Sequence, residues 1–140
     1  MSIIEFENCP ELIDYQEIKL GKLYFFKSFV VSEFDEGVHI TFDNFQEATK
    51  LINNFYNEKP YGFIANRTNS YSIDLNDAKR FNESFPYLKA YAVVCNTLFG
   101  RGIFEVENQF FTFNRQIFKT IEDAINWVES TLEVSPKKAI

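Results

Sequence analysis

The sequence is poor in the usual equipment of catalysis. It holds one histidine, His39, and two cysteines, Cys9 and Cys95, with no CxxC spacing and no histidine beside either. Metal centres need clustered ligands, so no metal or cofactor is expected, and the two thiols read as reduced and structural. A GxGxxG turn, a P-loop and a GxSxG elbow are all missing, which removes the commonest nucleotide and hydrolase architectures. Positive charge is scarce as well. Fourteen basic residues stand against 20 acidic ones, and the formal charge of -6 repels phosphate backbones and anionic surfaces, so nucleic acid is not an expected partner. No apolar run approaches the length that spans a bilayer, and the opening MSIIEFENCPELIDY lacks a basic start followed by a long apolar stretch. A cytoplasmic protein without stable membrane insertion is the expectation.

What the 140 residues do contain is phenylalanine, 17 of them, within an aromatic share of 18%. Rings in that number must fill a core or an interface, and the length is that of one ordinary domain, placed here at 1–134 with a frayed tail at 135–140. Residues 1–21 read as one edge strand or an irregular lead-in. KLYFFKSFVVSEF, the turn residues DEG and the alternating VHITF then predict an antiparallel hairpin, with Gly37 free to take positive φ. In NFQEATKLINNFYNEKP, Phe45, Ala48, Ile52 and Phe55 recur at helical spacing, and Asp43 with Gln46 forms a capping-box pattern.

YGFIAN follows as a strand covered on both faces, and Leu75, Ala78, Phe81 and Phe85 define a second helix that Pro86 stops. LKAYAVVC is the next buried strand. Phe99, Ile103, Val106 and Phe110 mark the expected inward face of a third helix. RQIFK makes a last strand. Thr120 caps a final helix whose inward side is Ile121, Ala124, Ile125, Val128 and Leu132. Strands joined by helical crossovers run parallel, so the fold class is α/β: a mixed sheet, with an N-terminal antiparallel hairpin and then parallel strands, covered by about four helices.

That order, together with LKAYAVVC and the closing FKTIEDAINWV, resembles the STAS domain, the fold of bacterial anti-sigma-factor antagonists, and especially its stand-alone bacterial relatives. The likeness covers most of the chain after residue 22. It implies a regulatory or ligand-binding domain without catalysis. In phosphorylated members a serine opens the helix after the central strand, within an Asp-Ser loop. The matching loop here, NRTNSYSIDL, has no Asp-Ser pair and no glycine after the serine; Ser70 and Ser72 are its phosphoacceptor candidates.

The same loop lies where open α/β sheets place ligands, beyond the carboxyl end of a parallel strand. Arg67 brings a fork-shaped donor, and Thr68, Asn69, Ser70 and Ser72 bring hydroxyls and an amide. Asp74 and Asp77, however, already supply the next helix start with negative charge and would repel a phosphoserine, so a capped connection is preferred to a functional loop. A second loop, CNTLFGRG, offers Asn96, Thr97 and Arg101, which would face Arg67 across one crevice. His39 sits alone in a strand. NQFFTFNRQIF crowds its rings too closely for all to point inward, and Phe111 and Phe113 are the expected interface residues. Two functions follow: a non-catalytic domain that binds a protein partner or a second copy of itself, or a receptor for a small anionic or lipid-like ligand in the crevice.

Overall fold

In the computed structural model the backbone is described for residues 1–137 and the side chains for residues 1–133. Residues 138–140 lie outside the described residues, as do all side chains of the expected frayed tail. Six strands form one mixed sheet. The first three, β1 (Asp14–Ile18), β2 (Gly21–Phe25) and β3 (Phe29–Phe34), are antiparallel neighbours, so residues 14–18 are the edge strand allowed for in the lead-in. β3 then pairs in parallel with Tyr61–Asn66, that strand with Leu88–Val94, and that one with Arg115–Phe118. Between β3 and Tyr61 a two-residue strand, β4 (His39–Ile40), pairs in parallel with Ser72–Ile73. In chain order Tyr61–Asn66 is β5, Ser72–Ile73 is β6, Leu88–Val94 is β7 and Arg115–Phe118 is β8.

The helices are α1 (Gln46–Tyr56), α2 (Ala78–Ser84), α3 (Leu98–Glu107) and α4 (Ile121–Lys137). The period-2 rule sorts the two faces of the sheet. Phe25, Val30, Phe34, Phe63, Ala65 and Val93 pack with α1, α2 and Phe104 of α3. Tyr24, Phe29, Val31, Ile64, Ala92 and Val94 pack with Ile121, Ala124, Ile125 and Val128 of α4. Each fully buried Ile or Val there contributes roughly 1.5–3 kcal/mol. α4 lies close because β5 carries Gly62: a Cβ at that position would overlap Val128 Cγ1. Thr120 caps α4 as expected, its hydroxyl accepting from Asp123 N–H at 3.2 Å.

Two local expectations are corrected. The hairpin lies within KLYFFKSFVVSEF, not between that run and VHITF. Its strands are β2 and β3, turned at Lys27–Ser28, where Phe26 N–H donates to Phe29 O at 2.9 Å. Gly37 does take a positive φ, 79°, but the turn at 35–37 leads the chain off the sheet. Val38, Ile40 and Phe42 still alternate inward, packed in the core with α1 and α2, and β4 pairs with β6 instead of with β3. The second correction is at the start of α1. Asp43 makes no side-chain cap; instead Thr41 and Asn44 cap each other, Thr41 N–H to Asn44 Oδ1 at 2.8 Å and Asn44 N–H to Thr41 Oγ1 at 3.1 Å.

Candidate functional site

The loop after β5 is a tied connection. Ser70 N–H donates to Glu36 Oε2 at 2.6 Å and Gly37 N–H to Ser70 O at 2.7 Å. Asn69 Nδ2 donates to Phe34 O at 3.0 Å, and Asp74 Oδ1 accepts from Asn76 N–H at 3.0 Å, the N-cap role expected of it. Asp77 does more than sit in a first turn, since its Oδ2 accepts from Phe42 N–H at 2.8 Å. Backbone and side chains thus pin residues 67–77 to the segment 34–44, which gives the loop one shape to present.

Beside this loop the tips of β5 and β7 open a crevice of about 350 Å³. Arg67, Thr68, Asn69 and Ser70 line one side; Asn96 and Thr97 line the other. Six of the eight candidate ligand residues therefore meet. Arg101 and Ser72 do not: Arg101 is absent from the lining, where Lys119 supplies a cation instead, and Ser72 lies in a neighbouring apolar groove. Lys119 follows the end of β8, so it projects at the same sheet end as the two loops. That position was the signal that identifies it, since ligands gather at the carboxyl ends of parallel strands.

Arg67 is not free to act as a surface cation. Its Nη2 donates to Glu107 Oε1 at 2.8 Å and to Oε2 at 3.1 Å, and Arg115 Nη2 donates to the same Oε1 at 3.0 Å. The side chains of Arg67, Glu107 and Arg115 are 7%, 4% and 0% exposed. Tyr91 and Phe104, each 4.6 Å from the Arg115 guanidinium carbon, box it in, and Tyr71 lies 5.0 Å below that of Arg67. Burial works to lower the Arg67 pKa, but Tyr71 and Glu107 outweigh it and hold the group protonated. Two guanidiniums against one carboxylate leave one positive charge in excess behind the crevice wall.

Glu107 is buried because α3 is rolled by about a quarter turn relative to the expectation. Its inward residues are Phe104 and Glu107, with Gly100 seated against the Cys95 thiol, where a Cβ would collide with Sγ. Of the face predicted to be core, Ile103 is half-buried, but Phe99 is 76% exposed, Val106 50% and Phe110 47%, joined by Leu98 at 90%. The expected interface pair is displaced with it. Phe111 is 7% exposed and Phe113 half-buried, both packed in the core against Phe81, Phe85 and Tyr91, so the outward ring is Phe110. Between α3 and residues 71–75 lies a groove of about 430 Å³, walled by Leu98, Phe99, Ile103, Val106, Ile73 and Leu75.

His39 does meet a hydroxyl, Ser72 Oγ, at 2.7 Å from Nδ1. Both residues are exposed, and no carboxylate bonds the ring among the described residues. No group of three or more potential metal ligands gathers among those residues, and none of their helices is long and apolar enough to cross a membrane. Both cysteines are free thiols.

No family model matches the chain, and no curated protein matches it. A solved structure does. An uncharacterised DUF3478-family protein from Shewanella loihica PV-4, described as having a SpoIIAA-like fold, aligns with a TM-score of 0.55 at 13% identity, over 82% of this chain and 90% of that one. The fold is SpoIIAA-like. The resemblance to the STAS domain, drawn from element order, LKAYAVVC and FKTIEDAINWV, is thereby a shared architecture: an antiparallel start, parallel strands joined by helices, and four helices among the described residues. In this SpoIIAA-like chain the loop after β5 and the start of α3 flank one crevice.

Proposed function

We propose that this SpoIIAA-like chain is a non-catalytic binding domain that docks another protein on the outward face of α3. The observation that carries this is the exposure of Leu98, Phe99 and Val106 on one helix, with Phe110 exposed just beyond its end, beside an apolar groove. Large apolar side chains clustered in water are costly, and such patches mark interaction surfaces. Catalysis finds no support in the lone imidazole, which pairs with an exposed serine and, among the described residues, with no acid. A second reading, a small anionic or amphipathic ligand, is favoured by the crevice, whose lining includes Lys119 and no carboxylate.

The test is co-purification from native cells with wild-type bait and with the Leu98→Asp/Phe99→Asp double variant. A specific partner held by the first and lost by the second, with circular dichroism unchanged, is the expected result. Partners retained by both would contradict docking on α3. A thermal-shift screen against phosphorylated metabolites, nucleotides and fatty acids separates the second reading, since a ligand bound only by the folded state raises Tm.

A further inference from the structure

The crevice and the apolar groove share a wall. Tyr71, Phe99 and Ile103 line both, so an occupant of one lies against an occupant of the other. Their chemistry differs sharply. The groove takes apolar surface. The crevice offers hydroxyls and amides, and in a chain with 20 acidic residues none of them lines it. Thr68, Ser70, Asn96 and Lys119 all reach it with side chains that bond no other protein group among the described residues.

Two sources of positive potential converge there. Lys119 has no ion pair among the described residues. Behind Arg67, the buried cluster with Glu107 and Arg115 carries one uncompensated charge, screened less than a surface charge would be. The chain as a whole is negative, so a local acid-free, cation-bearing hollow beside the docking groove is a discriminating feature.

Resting on the docking proposed above, we infer that the partner inserts an apolar side chain into the groove and sets a neighbouring carboxylate, from an Asp or Glu, into the crevice against Lys119. The apolar contact supplies most of the affinity. The ion pair, made by an exposed lysine, contributes up to about fivefold and mainly selects which segment binds.

A random peptide library displayed on phage, panned on the intact protein, tests this. Wild type should enrich apolar residues next to Asp or Glu; the best peptide should weaken up to about fivefold with Lys119→Ala. Lys119→Glu as bait should enrich Lys or Arg in the acidic position. Apolar peptides without charge preference, or preferences unmoved by Lys119→Glu, would overturn this inference and leave the docking face standing. The same peptides enriched on Phe99→Asp would overturn the docking face itself. A blank selection, with dodecanoate or dodecyl phosphate bound one to one and lost in Lys119→Ala, would replace both with the small-ligand reading.

Discussion

Arg67 Nη2 stands 2.8 Å from Glu107 Oε1, and this contact joins the loop after β5 to the inward face of α3. Because both side chains are almost wholly buried, the pair sets the roll of α3 about its axis. With Glu107 pointing in, Leu98, half a turn away, and Phe99 and Val106, about a quarter turn away, are left exposed. The exposed apolar face and the buried charge cluster are therefore two consequences of one orientation.

Glu107→Ala tests the cluster. Removing the carboxylate leaves two guanidiniums buried together without an acid, and breaking a buried pair in this way costs about 3–5 kcal/mol. Urea denaturation should show that loss. A change under about 1 kcal/mol would mean that the arginines find water and that α3 is held by other contacts.

Two buried tyrosines give a contrast. Tyr56 donates its hydroxyl to Phe26 O at 2.9 Å, whereas the hydroxyl of Tyr61, whose ring stacks on it, has no hydrogen-bond partner among the described residues. Tyr56→Phe should cost about 1 kcal/mol, while Tyr61→Phe should be neutral or stabilising. The reverse order would contradict the hydrogen-bond assignment.

Alkaline pH acts on the same group of phenols. Burial raises the pKa of Tyr56 and of Tyr61, and pushes Tyr71 up to about 12 against the opposing pull of Arg67. A phenol whose folded pKa exceeds its unfolded value of 10.0 favours folding fully below pH 10. That stabilisation is lost as pH rises through the folded value. Denaturant midpoints should fall from pH 10 toward 12, and less so in Tyr71→Phe. A flat midpoint over that window would show that the phenols ionise without unfolding cost.

Gly62→Ala should destabilise by about 1–3 kcal/mol through overlap with Val128 Cγ1. Val128→Ala opens space there, so the double variant should recover part of the loss in a mutant cycle. Strict additivity would place α4 farther from β5.

Much of the fold was legible. YGFIAN and LKAYAVVC read as buried strands because unbroken apolar runs flanked by helical periodicity have few other homes, and Thr120 announced α4 through its cap. The hairpin was misplaced because Lys27–Ser28 turns without Gly, Pro or Asn, while the conspicuous DEG turn serves a loop. The crevice was half legible: Arg67, Thr68 and Asn96 follow from strand tips, but Lys119 needed β8 placed beside β7. The inward face of α3 is rolled by about a quarter turn from the one its periodicity suggests. Its inward stripe contains Glu107, which only the distant Arg67 and Arg115 make tolerable, so periodicity alone favoured the wrong side.

Phe99 decides the matter most directly. At 76% exposure it contributes almost nothing to folding, so the unfolding free energy of Phe99→Asp should lie within about 0.5 kcal/mol of wild type. A loss of about 3 kcal/mol or more would make Phe99 a core residue, turn α3 over, and remove the docking surface on which the proposed function stands.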